Sequence, residues 1–377
     1  MSNYSSLYGA GGVPIGAIVQ GQFAADASYL PCDGRDYLSA SYPLLDKTSL
    51  STFGTNVVGQ ITPGGAAAIS SLASNGTIIV ACYSGQQQAV LTSSDTATWT
   101  SRTLPTLGTI YSIRWLNSLF VATMISSTGS YFTVLTSPDG ITWTQRYQDT
   151  STAFTIISAG TPAVTYGAGL FVAVVPGSGS PSATGSYFTS PDGITWTKRT
   201  SLPTQQWWGV FFIDNEFLAF PRSADGGGSQ TQLFAKSVDG LTWTSYYLPT
   251  VGAFWSTFVL NNVVHISNGS GYWKSSSRGL SWQSLPSGSV RPSTQINGYM
   301  FDNSGLYWRE NSPTPYNRLP VSYNTSLGEA VLLGSRVIIS NTGASGAFYY
   351  IDFDSSKFKT PLAVPTLDTD RYYIKAK

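Results

Sequence analysis

Ser137-Pro-Asp-Gly-Ile-Thr-Trp143 returns almost unchanged as Ser190-Pro-Asp-Gly-Ile-Thr-Trp196 and again as Ser237-Val-Asp-Gly-Leu-Thr-Trp243. In each copy the Ser and Asp side chains can bond backbone groups of their own turn. Gly140, Gly193 and Gly240 supply the left-handed residue, and the Trp packs back over the hairpin. A looser copy stands at Ser93-Ser-Asp95-Thr-Ala-Thr-Trp99 and a decayed one at Ser276-Ser-Arg-Gly-Leu-Ser-Trp282. A sixth is visible only by alignment, where Gly271 to Pro286 lies over Gly305 to Pro320 with Trp282 over Tyr316. The anchor aromatics recur every 35 to 55 residues or so, a period that suits four short strands per repeat.

Working outward from each turn, a hydrophobic strand recurs as Thr77–Ala81, Leu119–Ala122, Leu170–Ala173, Phe217–Ala219, Val263–His265, Tyr299–Phe301 and Val337–Ile339. Before these come Asn75-Gly76, Asn117-Ser118, Gly167-Ala-Gly169, Asp214-Asn215, Asn261-Asn262, Asn297-Gly298 and Gly334-Ser335, residues suited to hairpin turns with positive φ. Seven such strands predict an all-β chain folded as a seven-bladed β-propeller, with six blades as the alternative. The last unit offers only three strands, in Glu329–Leu333, Arg336–Ile339 and Ala347–Ile351. Its fourth is expected from Thr55–Ile61, which would close the ring and remove a sheet edge. The propeller is therefore placed at 55–351.

Composition narrows the chemistry. Of 377 residues only 10% are charged and the net charge is +1, so no field is available to steer nucleic acid or an acidic membrane surface. Aromatics reach 14%, while Glu occurs only at Glu216, Glu310 and Glu329. Cys32 and Cys82 fall in different expected domains and read as free thiols rather than a disulfide. The start has no basic-then-apolar stretch, and nowhere do some 18 apolar residues run together, so a soluble chain without an export signal or membrane insertion is expected. No cluster has metal-ligand spacing and no glycine-rich phosphate loop is present, so no metal or cofactor is expected; Asp225–Ser229 reads as a surface loop.

Candidate binding residues come from the start of each unit's first strand, where an aromatic precedes a small residue: Tyr111-Ser112, Phe154-Thr155, Trp208-Gly209 and Trp255-Ser256. At similar height around a ring they could stack on sugar faces, at about 1 kcal/mol each. The other reading has them filling gaps between neighbouring blades. Trp207 points opposite to Trp208 in a strand, so one of that pair is expected to form an exposed platform.

The repeated motif resembles the Asp-box of sialidase-type propellers, where it joins the third and fourth strands of a blade. That resemblance implies fold-making roles for Ser93, Asp95, Trp99, Ser137, Asp139, Gly140, Trp143, Ser190, Asp192, Gly193, Trp196, Ser237, Asp239, Gly240 and Trp243. It does not imply activity. Sialidase chemistry needs an arginine triad, yet only Arg114 lies in an inner first strand, and no facing pair of carboxyl groups suggests another glycosidase. His265, the only histidine, has no nucleophile elbow to serve and reads as an inner-strand residue near the channel. No catalytic residues are expected.

The flanks carry a second resemblance. Pro14–Ile18, Tyr29-Leu-Pro-Cys-Asp-Gly34 and Tyr42-Pro-Leu-Leu45 at one end, with Phe358-Lys-Thr-Pro361 and Tyr372-Tyr-Ile-Lys-Ala376 at the other, resemble the tail-collar domain of bacteriophage short tail fibres. One discontinuous domain, 1–54 plus 352–377, would then bracket an inserted propeller. The resemblance implies a virion tail protein assembled in the host cytoplasm, with other tail or baseplate proteins and a host-surface glycan or protein as partners. A homotrimer is the family's usual assembly, although no heptad or fibrous repeat here would carry it. Three functions are weighed: a non-catalytic receptor-binding adhesin first, then a structural tail or baseplate component, then a glycan-cleaving enzyme.

Overall fold

A turn that accepts positive φ, followed by a β-branched and aromatic run, makes a hairpin, and this chain repeats the device along its length. The computed structural model describes side chains over residues 68–85, 87–154, 163–175, 186–203, 207–221, 233–249, 257–260, 262–267, 271–284, 296, 328–340 and 348–352, with backbone pairing alone for further strands. Cys32, Tyr42–Leu45, Asp225–Ser229 and Tyr316 lie outside the described residues, as do the side chains of Trp255 and Tyr307. Every regular element described is a strand.

Each predicted hydrophobic segment lies on a strand, except that the first begins at Ile79 rather than Thr77, and positive φ appears where the turns require it, at Gly76, Asn117, Ser118, Ala168, Gly169, Asp214, Asn215, Asn262 and Gly334. Four-stranded antiparallel sheets follow one another over Val164–Arg199, Trp207–Tyr247, Phe254–Ser284 and Pro292–Arg318. Before them the chain departs from the expected pattern. Thr100–Leu116 is one continuous strand that serves twice, pairing through Thr100–Thr103 with Ala89–Thr92 and through Gly108–Leu116 with Leu119–Ser126. The result is one curled seven-stranded sheet over Ile69–Ala153 instead of two separate ones. Only Leu104–Leu107 separates the two roles, too few residues for a loop, and Pro105, which has no N–H to donate, stands where the partner changes.

The last sheet, Leu327–Leu333, Arg336–Asn341 and Phe348–Lys359, takes Ser51–Ile61 as a further antiparallel strand, registered from Phe348 opposite Ile61 to Ile351 opposite Val58. This is the strand donor the sequence predicts. Asp36–Leu38 pairs beyond it on Phe348–Lys359. The first strands lie side by side in chain order: Ile69–Ser74 against Thr100–Leu116, that against Val164–Gly167, and that against Trp207–Ile213. Phe254–Leu260 touches Pro292–Ile296, which touches Leu327–Leu333, and that strand returns to Ile69–Ser74. The fold is all-β and propeller-like. Ile18–Gly21 and Tyr29–Pro31 form a separate small sheet on either side of Arg371–Lys375.

The repeated turn joins third to fourth strand, and its Ser and Asp bonds are built alike in every intact copy, whereas Trp243 Nε1 lacks the bond to the turn that the other tryptophans make. Ser137 Oγ accepts the N–H of Gly140 at 2.8 Å and donates to Asp139 Oδ1 at 2.9 Å, and Oδ1 also accepts the N–H groups of Ile141 and Thr142. Trp143 Nε1 closes the loop on the Gly140 carbonyl at 3.1 Å. Ser190, Asp192 and Trp196 repeat these bonds, and so do Ser93, Asp95 and Trp99, with Thr96 in the glycine position at φ 64. Ser237 and Asp239 bond their turn in the same way. In the decayed copy the turn is one residue longer. Ser275, rather than Ser276, receives the Gly279 N–H, and Ser277 replaces the aspartate as acceptor for Ser281 N–H.

Each turn also packs on the unit before it. A β-carbon on Gly240 would lie 2.9 Å from Leu170 Cδ2 and 3.0 Å from Val172 Cγ2, both on the preceding unit's second strand. Glycine at φ +70 is therefore favoured both by the backbone and by the neighbour. The turn tryptophans reach back likewise: Trp243 meets Tyr187 edge-on at 5.8 Å, and Trp282 meets Phe234 at 6.3 Å. Trp99 stacks on Phe348 at 4.4 Å, so the first sheet packs on the last by the same contact.

Backbone bonds hold the turn aspartates well below the usual carboxylate range, Asp192 and Asp239 at about 2. A depressed folded-state pKa adds stability above about pH 4 that is lost as pH falls through about 2. Urea midpoints are expected to drop between pH 4 and 2, and the D192N/D239N double variant is expected to show a flatter drop.

Candidate functional site

Three of the aromatic residues singled out from the sequence are not exposed. Tyr111, Phe154 and Trp207 are all buried, Trp207 at 2% exposure with its Nε1 bonded to the Pro203 carbonyl at 3.2 Å. They pack in the core with Val121, Val164 and Val210, the gap-filling position that was the alternative reading. Trp208 is half-buried, and Trp255 stands on Phe254–Leu260 with its side chain outside the described residues. A local irregularity explains the pattern. The register shifts by one residue between Ile110 and Ser112, Trp207 and Gly209, and Phe254 and Ser256, leaving Tyr111, Trp208 and Trp255 as the extra residue of a β-bulge. The same shift occurs at Ser70. Phe154 does not belong to this row: Thr155–Ile156 pairs with Gly177–Ser178, and the unit's first strand is Val164–Gly167.

Every carboxylate among the described residues has a structural partner. The turn aspartates are bonded as above. Asp149 pairs with Lys198 at 2.8 Å, and Glu216 takes Lys236 at 2.9 Å and Arg278 at 3.1 Å. Asp214 accepts from Asn262 Nδ2 at 2.8 Å. Arg278 and Glu216 belong to successive units, so this cluster replaces with charge the apolar contact made at other turns. His265 is fully buried, stacked on Phe258 and bonded through Nδ1 to the Tyr272 hydroxyl. Burial, then the nearby Lys274 charge, pushes its pKa down to about 4, so the ring is neutral at ordinary pH. Cys82 is a free, buried thiol pushed above its normal pKa by desolvation.

Polar groups that sequence reading does not connect converge where the last sheet meets the first. Glu329, at the bulge of its strand, forms an ion pair through Oε1 with Arg114. Its Oε2 accepts from Ser71 Oγ at 2.6 Å and Leu72 N–H at 2.8 Å. Ser71 Oγ in turn accepts the Ile113 N–H at 3.0 Å. Three neighbouring inner strands are thus tied by one carboxylate. On the face carrying the repeated turns, Arg336 holds Asp352 through two bonds of 2.6 and 2.9 Å, donates to Thr96 Oγ1 at 3.1 Å, and lies 4.3 Å from the Tyr350 ring centre. Beside this pair a cleft of about 520 Å³ opens between the Gly76 and Gly334 hairpins, lined by Thr77, Ser94, Asp95, Ser335, Arg336 and Asp352.

Sequence reading also misses a cross-strand pair although its signal is present. In Trp-X-X-Arg after three turns, Arg102, Arg146 and Arg199 each donate through Nε to Thr92, Thr136 and Thr189, at 3.1, 2.9 and 3.2 Å. In the next unit the pair changes on both sides, and Lys236 lies 5.4 Å from the Tyr246 ring.

With this geometry in view, the class of protein is defined by its fold. No protein-family model matches the chain, and no curated protein matches it by sequence. Among solved structures it is similar to virginiamycin B lyase from Staphylococcus aureus, at 8% identity and TM-score 0.58, covering 78% of this chain and 99% of that one. It is also similar to the Dos1 propeller, at 9% identity and TM-score 0.53 over 81% and 96%. A chain of the mitotic checkpoint complex gives 10% identity and TM-score 0.54 over 80% and 93%. Likeness at such identities extends to the β-propeller fold alone.

Proposed function

We propose that this chain is a non-catalytic bacteriophage tail adhesin, a seven-bladed Asp-box propeller carried inside a split collar-like domain and used to grip a bacterial surface. The observation that carries the reading is the pairing of the chain's two ends. Ile18–Gly21 and Tyr29–Pro31, from the collar-like start, flank Arg371–Lys375 from the collar-like end. The ring lies between them, with its closing strand Ser51–Ile61 immediately after the first flank. Counting Thr100–Leu116 in two units gives seven repeats. An insertion whose ends meet in one sheet leaves its host domain intact, the arrangement expected of a binding module added to a tail protein.

Binding rather than turnover is supported by the way the described carboxylates are spent on turns and ion pairs. The partners are a host-surface glycan or protein on one side and tail or baseplate proteins on the other, in the virion. A structural tail component without a receptor role is the second reading. It is favoured by the exposed apolar tips Ile141, Ile194, Leu241 and Leu280, one on each of four successive turns, which suit a protein contact.

Fluorescently labelled chain incubated with a panel of bacterial strains tests the proposal. Retention on a subset of strains, lost after periodate or protease treatment of the cells and without release of reducing sugar, is the expected result. Sugar release abolished by changing one carboxylate would replace adhesion with catalysis, and no retention on any strain would favour the structural reading.

A further inference from the structure

We propose that the cleft at the closing seam is a saccharide subsite selective for neutral, polyhydroxylated sugar units; this rests on the adhesin reading and assigns it a location. The seam differs from its counterparts in both residues that meet there. At two other seams a turn glycine sits directly on an apolar second-strand side chain, Gly193 on Leu119 and Gly240 on Leu170, and at a third Arg278 pairs with Glu216 beside Gly279. Here Thr96 takes the glycine position and Arg336 the apolar one, and the two meet through a hydrogen bond. The space beside them stays open at about 520 Å³, within the range of small-ligand sites.

The lining sets the ligand class. Thr77, Ser94 and Ser335 present exposed side chains with hydroxyls that both donate and accept, while Asp95, held by its turn through Oδ1, and Asp352, paired with Arg336, offer their remaining lone pairs as acceptors. Arg336 is committed to Asp352 and Thr96 and covers the Tyr350 ring, so the site holds its ligand by hydrogen bonds rather than by stacking. Two carboxylates against one guanidinium leave the cleft net negative. Sugars bearing carboxylate, sulfate or phosphate are disfavoured, and neutral hexose or N-acetylhexosamine units fit.

The test applies the full-length chain to an array of neutral gluco-, galacto- and N-acetylglucosamine oligosaccharides beside sialylated, sulfated and phosphorylated ones. Three variants are compared. S335W fills the cleft from an exposed hairpin position. D95N removes a charge while keeping an oxygen for the turn N–H groups, and D139N makes the same change at a turn without a cleft. Binding confined to neutral glycans is expected, weakened about 30-fold by S335W and about tenfold by D95N, with D139N as wild type; S335W should melt as wild type, and D95N and D139N, which each lose one turn carboxylate, should melt slightly and equally lower. Binding only to anionic glycans, or binding indifferent to S335W, overturns the proposal. If no glycan binds but the chain still adheres to cells, the subsite fails and adhesion stands. If the chain neither binds glycans nor adheres, both fall together.

Discussion

Replacing Phe348 by alanine is expected to destabilise the protein by about 4 kcal/mol, the largest loss from any single substitution considered. The side chain is fully buried among Ile69, Leu72, Ile79 and Ile338, residues drawn from the first and last sheets. Truncation removes the transfer energy of a phenyl ring, leaves a cavity the backbone cannot close, and forfeits the stack on Trp99, itself worth about 1 kcal/mol. Because Phe348 begins the strand that pairs with Ile61, the damage should spread along that strand. Amide exchange at Val58–Ile61 is expected to accelerate in F348A, and F348L should recover most of the loss. F234A, which removes an equally buried ring at a different seam, should cost similar stability without affecting those amides. Unchanged exchange at Gly59 and Gln60 in F348A would mean that packing at this seam does not hold the ring closed.

Glu329→Ala should be the next most damaging change, at about 2 to 3 kcal/mol. One carboxylate accepts from Arg114, Ser71 and the Leu72 backbone, so its removal leaves three donors short of a partner. Breaking a buried ion pair from one side costs about 3 to 5 kcal/mol, and side-chain exposures of 23% and 16% reduce that through solvent screening. E329Q keeps an acceptor for Ser71 and Leu72 and is expected to lose about half as much. The double variant R114M/E329M should regain stability over E329A, because no unpaired charge is left behind. Thermal denaturation of the four proteins checks this order; E329A as stable as wild type would show that the three inner strands do not depend on the carboxylate.

Much of the fold is legible in the sequence because its determinants are local. A Ser-X-Asp-Gly-X-Thr-Trp turn satisfies its own hydrogen bonds, so it is readable wherever it occurs, and an Asn-Gly or Asp-Asn pair marks its hairpin without help from distant residues. Even the strand donor at Thr55–Ile61 is legible, by counting, since a repeat one strand short has to be completed; the observed strand begins four residues earlier, at Ser51. The aromatic row is not legible. A β-bulge adds one residue and breaks the alternation of faces, so alternation does not tell which side Tyr111 takes, nor which of Trp207 and Trp208 is the more buried. Phe154 misleads for a related reason, since a two-residue strand and an intervening segment separate it from the first strand it resembles.

The polar groups at the closing seam are hidden for a different reason. Arg114 and Glu329 stand 215 residues apart, and nothing in either neighbourhood points to the other. Glutamate's scarcity is the one available signal: a lone Glu in an inner first strand needs a cation, and Arg114 is the only arginine read there. The cleft beside Arg336 and Asp352 has no sequence signature. It lies beside Thr96, which stands where three other turns have glycine, and Arg336, which stands where two units have leucine, departures that gain meaning only when the fold brings them together.

The proposed adhesin role requires the chain to contact a host cell for a virus. Adsorption kinetics test that most directly. Virions carrying this protein are mixed with their host in the presence of rising concentrations of the purified full-length chain, and free virus is counted over time. The account predicts that saturating chain lowers the adsorption rate at least tenfold by occupying the receptor. Adsorption that proceeds at the same rate with the chain in large excess would contradict it.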